Sequence, residues 1–145
     1  DYAQAGLYFV TICTGDRACV LGEVVDGTVE LSAIGRIVRD EWSALPIRYS
    51  GVEIDAFVVM PNHVHGMIEL VEGVAALSEV VGTFKSRSAH VSRSLRRSDR
   101  RPLWQRSYYD HVVRNDADLD RVRRYIDENP IKWSLDEENP DLARR

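Results

Sequence analysis

Two histidines separated by one residue, His63 and His65, carry the most chemistry in this sequence. Residues i and i+2 of an extended strand project from one face, about 6.5–7 Å apart at Cα, so imidazoles at this spacing can close on one metal ion. Val64, Ile68 and Leu70 fall on the opposite face. The same spacing also suits ordinary hydrogen-bonded histidines, and a third ligand is what separates the two readings. Leu119, Val122 and Ile126 mark the apolar stripe of a helix near the C-terminal end, and Tyr125 and Asn129, one turn apart, border it. Asn129 precedes Pro130, where a helix ends and a side-chain amide can turn toward a cation. It can equally be a plain helix stop, and Tyr125 a packing residue. Three neutral ligands would leave the charge of a divalent ion free to polarise a phosphate while a phenol attacks phosphorus. A free phenol has a pKa near ~10 and needs a cation or a lost proton to act at neutral pH. Arg121, Arg123 and Arg124 could supply that field, or form a solvated face opposing Asp118 and Asp120.

Other chemistries fit less well. Tyr108 and Tyr109 are rival nucleophiles, but the residues four positions on are Val112 and Val113, which bind no metal. His90 and His111 lack partners at a useful spacing and read as structural. No phosphate-binding Gly-x-x-x-x-Gly-Lys loop, Gly-x-Ser-x-Gly elbow or His-Glu-x-x-His helix is present. Cys13 and Cys19 form neither a disulfide framework nor a Cys-x-x-Cys pair.

The elements that must position these groups can be read along the chain. Leu7–Thr14, rich in β-branched and aromatic residues, predicts a strand. Val20–Val25 and Thr28–Leu31 flank Asp26-Gly27, a favoured two-residue hairpin turn. Ser32 caps a helix whose apolar positions run Ile34, Ile37, Val38, Trp42 and Leu45, with Pro46 expected to close it. Val52–Met60 and Val64–Leu70 are two central strands joined at Pro61-Asn62-His63. Leu77, Val81, Phe84, Ser88, Val91 and Leu95 share a helical face, with Lys85, Arg87, Arg93, Arg96 and Arg97 around the rest. A strand within 106–114 and a helix capped by Asn115 or Asp116 and ended by Pro130 complete the order. This alternation predicts an α+β fold of ferredoxin-like type, an antiparallel sheet with helices packed on it, in one domain over residues 1–145.

At 145 residues, 44% hydrophobic and 29% charged, the composition is that of a globular protein. No apolar stretch approaches the roughly 18–20 residues that span a bilayer. Asp1-Tyr2-Ala3-Gln4 shows no charged region followed by an apolar one, so no membrane partner and cytoplasmic residence are expected. Without an initiator Met, the chain reads as a processed or partial product. The net charge of −4 hides a segregation: residues 1–80 carry −8, 81–124 carry +7 and 125–145 carry −3. A basic middle third suits a polyanion, and 17 of the 19 cations are Arg, whose planar fork matches phosphate.

Met60-Pro61-Asn62-His63-Val64-His65-Gly66 resembles the metal-binding His-hydrophobic-His motif of the HUH single-strand nucleases. Leu103-Trp104-Gln105-Arg106 with Tyr108-Tyr109, then Tyr125 to Trp133 with its Asn129-Pro130, resembles the REP-associated tyrosine transposases, a branch of the IS200-like one-tyrosine transposases. Tyr8 to Thr14 is similar to their first strand, so the likeness runs in order from about residue 2 to residue 133. The resemblance implies that His63, His65 and Asn129 hold Mg²⁺ or Mn²⁺ on the scissile phosphate and that Tyr125 attacks it. A 5′-phosphotyrosine link and a free 3′-hydroxyl would result. The implied partners are single-stranded DNA hairpins of repetitive palindromic elements, in the bacterial cytoplasm and at its nucleoid, with a homodimer as one arrangement open to the family. Lys85, Arg87, Arg93, Arg96, Arg97, Arg100 and Arg101 are the expected phosphate contacts, with Trp104 and Arg106 as base or backbone contacts. The basic leader expected ahead of the first strand is not in this chain, and the acidic segment after Trp133 has no expected role.

Three rivals stand beside this reading. A non-catalytic single-stranded RNA or DNA-binding module on the same scaffold would use stacking aromatics such as Tyr8, Phe9 and Phe57. A water-using metal phosphodiesterase would not need Tyr125. A domesticated relative would keep the chemistry for upkeep of host DNA.

Overall fold

The computed structural model of the chain describes residues 5–73 and 75–141. The four N-terminal residues, on which the reading of the N-terminus rests, lie outside them. The first strand, β1 (Gly6–Cys13), alternates as its sequence requires. Tyr8, Val10 and Ile12 are buried toward one face, and Leu7 and Phe9 pack on the other. The hairpin β2 (Gly22–Val25) and β3 (Thr28–Leu31) forms a separate two-stranded sheet. Its turn residues, Asp26 and Gly27, have φ of 52° and 76°, the left-handed pair that a two-residue hairpin needs.

Ser32 accepts a hydrogen bond from the Gly35 amide at 3.0 Å and starts α1 (Ala33–Ser43). Pro46 does not simply close that helix. It sits in the opening turn of α2 (Leu45–Arg48), where its missing N–H costs no hydrogen bond. The central strands are β4 (Val52–Met60) and β5 (His63–Leu70). The turn between them is therefore shorter than expected, and His63 belongs to the strand. α3 (Leu77–Val91) buries Leu77, Val80, Val81, Phe84 and Ser88. The apolar face foreseen through Val91 and Leu95 ends early: both are exposed, because the chain leaves the helix for a 3-10 turn at Arg93–Arg96.

β6 (Tyr109–Val113) precedes α4 (Asp116–Glu128), which Asn115 caps by accepting from the Asp118 amide at 2.8 Å. The main sheet runs β4-β5-β1-β6, antiparallel at every pairing, the order that two crossover connections in a ferredoxin-like fold produce. α1 and α3 cover one face through Val38, Trp42, Val81 and Phe84. Gly66 permits this packing, since a Cβ there would lie 2.3 Å from the Trp42 ring. α4 covers the opposite face, with Val122 and Ile126 against Met67. An irregularity in β4 between Ile54 and Phe57 frees Asp55 to reach across. Its carboxylate takes a two-pronged ion pair from Arg123 of α4, at 2.9 and 2.8 Å, which holds that helix on the sheet.

Candidate active site

The histidines follow each other along β5 on the face that α4 covers, and His65 belongs to a row across the sheet. Val58, His65, Thr11 and Tyr109 are consecutive cross-strand partners on β4, β5, β1 and β6. His63 and His65 are both buried, with ring centroids 4.4 Å apart. The turn that presents them is fixed from several sides. Thr14 donates its amide to the Asn62 carbonyl at 2.9 Å, and Leu21 donates to the Pro61 carbonyl at 3.0 Å. The Asn62 amide nitrogen donates to the carbonyls of Arg17 and Glu138, at 3.2 and 2.6 Å. Both its protons are thereby used, so its oxygen is the acceptor facing His63 Nδ1 at 2.8 Å. His63 must then carry its proton on Nδ1 and leave Nε2 bare. His65 Nδ1 meets the Thr11 hydroxyl at 2.8 Å.

Three buried atoms in this region, His63 Nε2, His65 Nε2 and Asn129 Oδ1, have no hydrogen-bond partner among the described residues. Leaving buried polar atoms unmade is expensive, and these are lone-pair donors of the kind a divalent cation takes. Among the described residues no group of three or more His, Cys, Asp or Glu is gathered for a metal ion. The trio that does form has an amide as its third member. Burial pushes the His63 imidazole down to about 4, against the pull of the Asp136 carboxylate and the Asn129 side chain. Burial, and then the proximity of His63, holds His65 well below its ordinary value. Both rings are neutral at pH 7, with lone pairs available.

Tyr125, half-exposed, sits beside them with its ring 5.2 Å from that of His65 and 6.1 Å from that of Phe9. A cleft of about 420 Å³ opens over these groups, lined by Thr11, His65, Tyr109, Tyr125, Asn129 and the 135–138 segment. Burial raises the Tyr125 phenol, with Asn129 pulling the other way and Asp136, Glu137 and Glu138 adding to the rise. None of Arg121, Arg123 and Arg124, considered as a cationic field, is among the groups that shift it. Arg121 pairs with Asp118 within the same helix, and Arg123 pairs with Asp55 of β4 and so anchors the helix on the sheet. The acidic segment has a place that sequence reasoning did not foresee. Trp133 lies 6.1 Å from the His63 ring, and the Glu138 carbonyl holds the Asn62 amide. Thr11 and Asn62 were likewise unforeseen; Asn62 adjoins the first histidine in sequence, whereas Thr11 is visible only once β1 and β5 are paired.

The basic segment divides. Trp104, expected as a base or backbone contact, lies in the core: it is 6% exposed, packs on Phe84 and donates its indole N–H to Ser88 at 2.9 Å. Lys85 is spent on the carbonyls of Gln105 and Arg106, at 2.6 and 3.0 Å, where it clasps the loop leading to β6. Arg87 pairs with Glu41, Arg96 with the Ala89 carbonyl, and Arg101 with Asp99. Arg93, Arg97, Arg100 and Arg106 have no hydrogen-bond or ion-pair partner among the described residues, and all four are exposed.

The sequence profile described as IS200-like transposase matches residues 44–129, more than half of the chain, including both histidines, the tyrosine and the asparagine. The chain belongs to the IS200-like transposase family. Membership places it among enzymes. An uncharacterized protein of Haemophilus influenzae is 31% identical over 94% of this chain and 87% of its own length. The REP-associated tyrosine transposase of Escherichia coli is 29% identical over 99% of this chain and 82% of its own. A solved REP-associated tyrosine transposase, bound to a REP hairpin, superposes with a TM-score of 0.71 at 23% identity, over 94% of this chain and 73% of that one. That likeness is one of fold. Among the described residues no helix is long and apolar enough to cross a membrane.

Proposed function

We propose that this chain, acting as one domain over residues 1–145, cuts and rejoins single-stranded DNA beside a hairpin, with Tyr125 as nucleophile. The observation that carries the reading is the convergence of three unpartnered buried acceptors, His63 Nε2, His65 Nε2 and Asn129 Oδ1, beside a half-exposed phenol. These three atoms would hold Mg²⁺ or Mn²⁺, whose charge polarises the scissile phosphate and eases loss of the phenol proton. Tyr125 Oη bonds to phosphorus as the bond to the 3′-oxygen breaks; the phenol proton is released and the leaving oxygen ends as a 3′-hydroxyl. The 5′-phosphotyrosine keeps the bond energy, so another 3′-hydroxyl can reverse the step without a nucleotide cofactor. Because Tyr125 and the histidines belong to one chain and stand together, the geometry supports a tyrosine that serves its own site, without a need for a homodimer. A hairpin as partner rests on the names of the relatives and on the four free arginines.

Against the binding-module alternative, Tyr8 is buried, Phe57 packs on the core, and Phe9 lies stacked on His65. None of these three rings is left as an open platform on the sheet.

Thr11 positions His65. In the metal-bound state His65 would donate from Nδ1 to the Thr11 hydroxyl, and Thr11→Val removes that acceptor. Mn²⁺ affinity measured by calorimetry is expected to fall about 10- to 100-fold. An unchanged affinity would remove Thr11 from the site. For the DNA partner, the four unpaired arginines predict that log K for a hairpin oligonucleotide falls with log salt at a slope of about −3. Replacing Arg97 with Ala should flatten that slope by about 0.7. A salt-independent affinity would contradict the assignment.

A further inference from the structure

Tyr109, set aside as a nucleophile in the sequence, is a cleft residue to which the proposed chemistry gives no role. It is 72% exposed, on the edge strand β6, and lines the same cleft as His65 and Tyr125. Its side chain makes no hydrogen bond or ring contact among the described residues. Through Thr11 it stands two strands from His65 in the same cross-sheet row, a separation of about 10 Å at the usual strand spacing. An aromatic body held in water on a rigid strand, at the rim of a phosphate-handling cleft, has its π-face free.

Resting on the DNA-cutting reading above, we propose that Tyr109 is a stacking platform for the nucleobase adjoining the scissile phosphate, and so sets where the strand lies against Tyr125. Its support is built in. The loop before β6 is pinned by Lys85 on the carbonyls of Gln105 and Arg106, which leaves the Arg106 guanidinium, three residues before Tyr109, free for a backbone phosphate. Stacking of this kind tolerates any base, because every base has a π-face. It explains why the exposed aromatic lies here, whereas the nearby Trp104 is consumed by the core.

The test uses the full chain carrying Tyr125→Phe, so that the strand stays intact. The probe is a DNA hairpin with single-stranded flanks, selected by binding and carrying 2-aminopurine on either side of the cleavage point mapped with the unsubstituted chain. Tyr109→Ala is expected to abolish the fluorescence quench at one of the two positions and to weaken binding about 5- to 100-fold. The slope of log K against log salt should stay the same, since no charge is lost. Tyr109→Phe should retain the quench, and affinity within about twofold. Unchanged quenching in Tyr109→Ala, or an equal loss in Tyr109→Phe, would overturn the platform. If the unsubstituted chain forms an adduct at Tyr125 while Tyr109→Ala has no effect, only the stacking role fails; if it forms no adduct and cuts nothing, both claims fail.

Discussion

Replacing Tyr125 with Phe is expected to abolish covalent attachment of the protein to DNA, while hairpin affinity stays within about twofold. The asymmetry follows from where the phenol sits. Tyr125 is exposed enough that its hydroxyl contributes little to folding, and its ring, which Phe retains, makes the contacts with Phe9 and His65. Only the nucleophilic oxygen is lost. Loss of a nucleophile from a covalent mechanism removes nearly the whole rate, commonly by a thousandfold or more. A water-using phosphodiesterase behaves differently, because Tyr125→Phe would continue to cut. Gel separation of adduct from free strand, run beside a binding titration, gives both readouts. Continued cleavage at an unchanged rate would exclude Tyr125 as the nucleophile.

The second large effect concerns the histidines. Three buried acceptors of the folded chain have no hydrogen-bond partner among the described residues, so any cation that satisfies them stabilises the native state by mass action. At a concentration about 100-fold above the dissociation constant the gain is about 2.7 kcal/mol, which in a chain of this size corresponds to a rise in Tm of about 5–12 °C. Mn²⁺ should produce that rise in the unchanged protein, and a chelator should reverse it. His63→Ala and His65→Ala should each lose the Mn²⁺-dependent rise and weaken Mn²⁺ binding by at least about 100-fold, since removing a ligand exceeds the cost of removing its support. Burial already keeps both imidazoles neutral at pH 7, so no proton has to leave before a cation enters. A Tm indifferent to Mn²⁺ would separate the trio from metal binding.

The elements that carry this site were legible because their signals are local. Alternation in β1, the left-handed Asp26-Gly27 turn, the Ser32 and Asn115 caps and the i+2 spacing of the histidines each depend on a few neighbouring residues. The placement of α4 over the histidine face was not local. It depends on Val122 and Ile126 meeting Met67 and on Arg123 reaching Asp55, 68 residues away. Long-range partnership also accounts for residues whose intramolecular partners their neighbours in sequence do not reveal. Trp104 carries the amphipathic character of a base-stacking residue, and only the pairing of its indole N–H with Ser88 reveals it as core. Lys85 reads as a phosphate contact in sequence, and only the fold brings the carbonyls of Gln105 and Arg106 to its ammonium. Leu95 continues the helical period in sequence, but α3 has already ended at Val91, itself exposed, before the chain turns into a 3-10 helix. The segment after Trp133 was silent for the same reason, since its contacts are with a turn seventy-odd residues earlier, at Asn62.

The most direct test of the central claim is to incubate the protein with Mn²⁺ and a hairpin library with single-stranded flanks, then map any protein–DNA adduct by mass spectrometry of tryptic peptides. A DNA mass on the peptide containing Tyr125, with a free 3′-hydroxyl on the released strand, is the predicted result. Cleavage with no adduct, or an adduct on any other residue, would contradict it.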